Sequence, residues 1–77
     1  MKLKFTIHAQ YRIAERNIDV DHIKKVIANP DAKKLDSSGQ VKITKKLNSK
    51  TIEVVYYKKG FRDRHNLYII VTAYYLS

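Results

Sequence analysis

Asn29-Pro30-Asp31-Ala32-Lys33-Lys34-Leu35-Asp36-Ser37-Ser38-Gly39-Gln40-Val41-Lys42-Ile43-Thr44 is the stretch on which the fold turns, because the hydrophobic period changes there. Before Pro30, apolar residues recur every three or four positions, the spacing of a helix packed on one side. After it, Val41 and Ile43 begin an alternation with polar residues, the spacing of a half-buried strand. Pro30 disfavours helical backbone at Asn29, and Ser37-Ser38-Gly39 has the composition of a turn.

Working outward towards the N-terminus, Val20, Ile23, Val26 and Ile27 give a helix one apolar face, and Asp19 is its expected N-cap. Ile18 and Ile23 stand at the two positions of a hydrophobic staple across that cap. An earlier helix is predicted over roughly 7–17, with Thr6 as N-cap and Ile7, Tyr11, Ala14 and Ile18 as its buried stripe. The link of 17–19 is short, which implies a helical hairpin. Towards the C-terminus, strands are predicted at 33–36, 40–47, 51–58 and 66–76, the last being the longest and most β-prone run. The expectation is one α+β domain over residues 1–77, an N-terminal helical hairpin packed on a three- or four-stranded antiparallel sheet, ααβββ(β).

The chain has 77 residues, of which 44% are hydrophobic, enough for one small core and too many for a disordered basic tail. Cysteine is absent, which removes disulfides and thiolate zinc sites and suits a reducing compartment. No apolar run approaches the roughly 18 residues that span a bilayer, so no membrane association is expected. The start, Met1-Lys2-Leu3-Lys4-Phe5-Thr6, has the charge of a signal peptide without the apolar region behind it, and the expected location is cytoplasmic. Sixteen Lys and Arg against seven Asp and Glu, a formal net charge of +9, point to a polyanion or an acidic protein as partner. Two glycines in all leave no phosphate-binding glycine loop, and no cofactor is expected. His8, His22 and His65 lack the i,i+4 pairing or neighbouring carboxylates of a metal site, so no metal is expected either.

Strand alternation sorts the second half of the chain into two faces. Val41, Ile43, Leu47, Ile52, Val54, Tyr56, Leu67, Ile69, Val71 and Ala73 form the apolar set, expected under the helices. Lys42, Thr44, Lys46, Glu53, Val55, Tyr57, Tyr68, Ile70, Thr72 and Tyr74 form the other face. Lysines there can meet phosphates while tyrosine rings stack on unpaired bases. The same tyrosines and threonines also suit a strand through β-propensity and cross-strand packing alone.

His8, Arg12 and Arg16 fall at steps of four and line one flank of the first helix. An unperturbed imidazole titrates near ~6.5, which suits proton transfer, and guanidinium groups give paired hydrogen bonds to phosphate oxygens. These residues can hold a phosphodiester and move a proton beside it. The plainer alternative has His8 at a boundary position, Arg12 paired with Glu15 and Arg16 with Asp19, contacts worth only ~0–1 kcal/mol when exposed. Arg62, Arg64 and His65 make a second basic cluster in the loop before the last strand, while His22 on the second helix is expected to be a bystander.

His8-Ala9-Gln10-Tyr11-Arg12-Ile13-Ala14-Glu15-Arg16-Asn17-Ile18, together with Asn29-Pro30, Gly39 and the closing Ile70-Val71-Thr72-Ala73-Tyr74, resembles a widespread small prokaryotic domain of unknown function. Its pattern is H-A-x-x-R-x-x-E-R-x-I on a first helix and V-T-x-Y on a terminal strand. Asn17 stands where that family usually carries glycine, and asparagine tolerates the left-handed backbone such a position calls for. The family is similar to the RelE/ParE-like toxin superfamily, which implies two helices on a small antiparallel sheet. Some members of that superfamily are metal-independent ribonucleases, several acting on ribosome-bound mRNA, and others poison gyrase. An acidic antitoxin partner follows from the same resemblance.

The expected activity is therefore RNA cleavage by attack of the ribose 2′-OH. Its catalytic residues would be His8, Arg12, Arg16 and Tyr74, with RNA bound by Lys42, Lys46, Tyr57, Arg62, Arg64, His65, Tyr68 and Thr72. The alternatives are a non-catalytic module for nucleic acid or an acidic protein, and a toxin directed at a protein.

Overall fold

A computed structural model describes residues 2–59 and 67–76. The elements are β1 (Lys2–Phe5), α1 (Ile7–Arg16), α2 (Val20–Ala28), β2 (Ala32–Leu35), β3 (Val41–Leu47), β4 (Lys50–Lys59) and β5 (Leu67–Leu76). They build one five-stranded sheet in the order β1-β5-β4-β3-β2. Pairing is antiparallel except between β1 and β5, which run parallel with Lys2 opposite Leu67 and Phe5 opposite Ile70.

This corrects the expected architecture. The helical hairpin is not N-terminal, and the sheet is mixed and five-stranded where an antiparallel sheet of three or four was expected. The missing element is β1, whose Lys-Leu-Lys-Phe alternation puts Leu3 and Phe5 against the core. Four residues give little periodic signal, and the partner strand lies more than sixty residues away with no turn to announce the pairing.

Local signals fix both helices. Thr6 Oγ1 accepts the Ala9 amide at 3.0 Å and caps α1. Asn17 ends α1 in the left-handed region at φ 54°, and the chain closes there with Ile18 N donating to Ile13 O at 3.0 Å. Asp19 Oδ1 accepts the Asp21 amide at 2.9 Å and caps α2, which stops at Ala28 before Pro30. Gly39, at φ 89°, turns the chain between β2 and β3, while the Asp36 carboxylate accepts from Ser38 N, Ser38 Oγ and Gln40 N.

The core lies between the helices and one face of the sheet. Ala9, Ile18, Ile23 and Val26 pack on Ile43, Ile52, Val54, Tyr56, Ile70 and Ala73. On α1 the inward face is Ala9 and Ile13; of the expected stripe Ile18, just past the helix end, is buried, while Ala14 is exposed, Ile7 is 86% exposed and Tyr11 63%. Both sets have helical spacing, so periodicity alone could not choose between them. Packing makes the choice, since the small Ala9 allows close approach to the sheet.

A β-bulge decides which face each residue of β5 serves. Val55 pairs with Thr72, but the next residue, Tyr56, pairs with Ile70, so Val71 is an extra residue on β5. One extra residue inverts the alternation on either side of it. Ala73 and Tyr75 therefore share the helix-covered face with Ile70 and Tyr68, while Leu67 and Ile69 go to the open face. This corrects the expected apolar set, which carried one alternation through the whole strand.

Candidate nucleic-acid cleft

The bulge and the helix start meet at Thr6. Its amide donates to Ile70 O at 3.1 Å and its hydroxyl to Val71 O at 3.3 Å, while the same oxygen caps α1. β1 pairs with β5 only as far as Ile70, so α1 leaves this junction beside the second half of β5. The flank of α1 that faces the strand carries His8, Arg12 and Arg16. With Thr72, Ala73 and Tyr74 these side chains line one open cleft of about 290 Å³.

Charge in the cleft is organised by Glu15. Its Oε1 lies 3.3 Å from Arg12 Nη1 and 4.0 Å from Arg16 Nε. Arg12 thus pairs with Glu15 as the plainer alternative has it, whereas Arg16 turns to Glu15 and not to Asp19. Asp19 Oδ2 instead lies 3.9 Å from His22 Nε2. The Arg12 contact uses one of five guanidinium donors, leaving the planar group suited to an incoming oxyanion. His8 is exposed at the start of α1, and Tyr74 is half-buried on β5.

Tyr74 stands directly opposite Glu53 on β4, and Thr72 opposite Val55. Glu53 is 8% exposed, on the open face, with Lys42 Nζ 3.9 Å from its carboxylate. A buried carboxylate beside the cleft was visible in the sequence only as one polar residue in an alternating strand. Its neighbours come from two other strands, which is why sequence reasoning did not single it out.

Lys42, Lys46, Tyr57, Thr72 and Tyr74 share the open face, the side of the sheet away from the helix-packed core. Tyr68 does not. The bulge turns it to the helix side, where its ring meets Tyr56 edge-on at 5.2 Å and 87°, with Lys58 Nζ 5.3 Å from its centroid. Burial pushes the Tyr56 hydroxyl pKa upward, with the neighbouring Tyr68 adding to the shift. Arg62, Arg64 and His65 lie outside the described residues.

His22 does not line the cleft; its Nδ1 lies 3.4 Å from Tyr75 Oη. Among the described residues no three His, Asp or Glu side chains gather as a metal site, and no helix is long and apolar enough to cross a membrane.

No curated protein and no solved structure matches the chain. A family model does match, over residues 5–75, which takes in both walls of the cleft and nearly all of the sheet. The chain therefore belongs to the family described as a domain of unknown function, DUF4258.

Proposed function

We propose that the cleft between α1 and β5 holds a phosphodiester of RNA and cleaves it with acid, base and cations all supplied by side chains. The observation that carries this reading is the convergence of His8, Arg12, Arg16, Thr72 and Tyr74 on one cleft of a protein with net charge +9. His8 takes the proton of the ribose 2′-OH as its oxygen bonds to phosphorus. The bond from phosphorus to the 5′-oxygen breaks, and the Tyr74 hydroxyl gives that oxygen a proton. Arg12 and Arg16 hold the non-bridging oxygens as negative charge builds on them. The products are a 2′,3′-cyclic phosphate and a free 5′-hydroxyl, and proton return from His8 to Tyr74 through solvent restores the site.

Lys42 and Lys46 on the open face would carry the flanking phosphates. The substrate would be free RNA or ribosome-bound mRNA in the cytoplasm, and an acidic antitoxin covering the basic cleft would be the regulatory partner. A second reading, binding of nucleic acid or an acidic protein without chemistry, is favoured by Glu15, whose carboxylate lies 3.3 Å from Arg12 and 4.0 Å from Arg16 and already pairs with the cations that would stabilise a transition state.

An RNA cleavage assay in the presence of a chelator, on free RNA and on mRNA in ribosomes, separates the readings. His8→Ala should slow discrete cuts about 10²–10⁴-fold, the usual contribution of general acid–base catalysis. Arg12→Ala should cost about 10²–10³-fold, as for loss of one charge-stabilising donor. Both variants should keep the wild-type circular dichroism, and the fragments should end in cyclic phosphate. Absence of wild-type cleavage on either substrate overturns the ribonuclease and leaves a binder or a toxin directed at a protein.

A further inference from the structure

We propose that a second hollow on the open face, formed by Lys4, Tyr57, Lys59, Leu67 and Ile69, takes an unpaired base of the same RNA strand whose phosphodiester lies in the cleft. The proposal rests on the ribonuclease reading for that strand and adds where the strand goes next. The hollow has a volume of about 250 Å³, below the range of drug-sized sites and on the scale of a single flat ring system.

Its construction follows from the register. Lys4, Ile69 and Tyr57 stand in one row across β1, β5 and β4, and Lys2, Leu67 and Lys59 stand in the next. Each row has an apolar centre on β5 with lysine at its β1 end. Ile69 is 7% exposed yet belongs to the open face and lies outside the core under the helices. Tyr57, beside it, is 37% exposed, so part of its ring is offered to solvent. Neither row contains a carboxylate.

An apolar, partly aromatic floor between lysines matches a ligand with a flat uncharged ring and flanking anions. A nucleotide has both, and its base reaches such a floor only when unpaired. Double-stranded RNA presents phosphates to the lysines but no ring face to Tyr57.

The hollow and the cleft lie along one strand. Leu67 and Ile69 line the first, Thr72 and Tyr74 the second, and Leu67 is five residues before Thr72. One of those five is the bulge residue, so the ladder between them has four steps, Lys59 to Val55 on β4, roughly 13 Å at ~3.3 Å per residue. That is a span for two or more nucleotides of extended strand and beyond a dinucleotide whose phosphate sits in the cleft. The Val71 bulge is what brings Leu67 and Ile69 to this face, so the same irregularity that anchors α1 also builds the second hollow.

The test is fluorescence anisotropy with a dye-labelled single-stranded hexaribonucleotide, 2′-O-methylated so that it cannot be cut, beside a dinucleotide of the same chemistry. Tyr57→Ala should weaken the hexanucleotide about 5- to 100-fold, the range for loss of one base stack, and leave the dinucleotide unaffected. Tyr57→Phe should restore binding, because stacking needs the ring and not the hydroxyl. Lys4→Gln and Lys59→Gln should each weaken the hexanucleotide severalfold, which keeps the test open if Tyr57→Ala fails to fold.

Arg12→Ala reports on the cleft separately. Loss of binding with Arg12→Ala but none with the Tyr57, Lys4 and Lys59 variants overturns the second hollow alone. If wild-type protein binds neither RNA, the cleft and the hollow both fall. An acidic peptide bound as tightly as the hexanucleotide, with no dependence on Tyr57, overturns the choice of RNA.

Discussion

Asp31 fastens the edge of the sheet with one carboxylate. Its Oδ2 accepts the Lys46 amide at 2.8 Å and its Oδ1 lies 3.4 Å from Lys45 Nζ, so the residue leading into β2 is tied to β3. The Lys46 N–H is the main cause holding the Asp31 carboxyl below its ordinary pKa; partial desolvation works against it, and the Lys45 charge adds to it. All four residues of β2 are exposed, so this strand is held by its ladder with β3 and by the Asp31 contacts, without buried side chains of its own. Because the folded-state pKa is depressed, the stabilisation is fully present above the unfolded value of ~3.9 and disappears as pH falls through the folded value. Asp31→Asn should therefore lower the melting temperature at pH 7, and the gap to wild type should close on titration into strong acid. A gap that stays constant on acidification rejects the charge-based account. At this scale the sequence was informative wherever a side chain answers its own neighbourhood: Thr6 and Asp19 cap as their residue types foretell. It was silent where the partner is remote, as with His22 and Tyr75, separated by 53 positions.

At the scale of elements, the bulge on β5 carries more of the structure than any one side chain. The run Leu67–Leu76 is apolar or β-prone at every position, so it fits the sheet in either alternation and contains no glycine to mark a break. Only the pairing of Val55 with Thr72 and Tyr56 with Ile70 reveals where the phase changes. That is why the apolar sets of β3 and β4 were legible and half of β5 was not. It is also why Tyr68, a reasonable RNA-contacting residue by alternation, belongs to the other face. Val71 is the extra residue, so deleting it would leave Ile70 next to Thr72 in one regular alternation, with Ile70 and Tyr68 still on the core face; what is lost is the Val71 carbonyl that accepts the Thr6 hydroxyl at the start of α1. Loss of one such hydrogen bond costs about 0.5–1.5 kcal/mol, a small part of the ~5–15 kcal/mol that holds a typical domain together. The deletion should therefore still unfold cooperatively by circular dichroism, with a melting temperature below that of Val71→Ala, which keeps the carbonyl and the residue count. Equal melting curves for the two variants reject the argument.

For the whole molecule, the legible part was the sequence of local elements, and the illegible part was closure. Two helices and four strands announce themselves by period and caps. The parallel docking of β1 on β5 depends on bringing together residues at opposite ends of the chain, and no local pattern encodes that. The consequence for function is a continuous open face whose cations come from distant segments: Lys4, Lys42, Lys46 and Lys59, with the arginines of α1 at its edge. These cations are not equivalent. Lys42 Nζ already faces Glu53 at 3.9 Å, so its charge is partly neutralised before any ligand arrives, whereas Lys46 stands opposite Thr51 on β4. Among the described residues the nearby Asp31 carboxylate binds the Lys46 main-chain amide and the Lys45 ammonium, not the Lys46 ammonium. If single-stranded RNA lies on this face, affinity should fall with rising salt, with log K against log salt steepening by about 0.7 for each phosphate neutralised. Lys46→Gln should make that slope shallower by about 0.7. Lys42→Gln should change it less, because phosphate contact there must first compete with Glu53. Glu53→Gln should tighten binding at low salt by releasing Lys42, and Lys42→Gln in that background should then shift the slope as Lys46→Gln does. Slopes identical to wild type for all four variants would remove the open face from the RNA-binding surface and confine binding to the α1–β5 cleft.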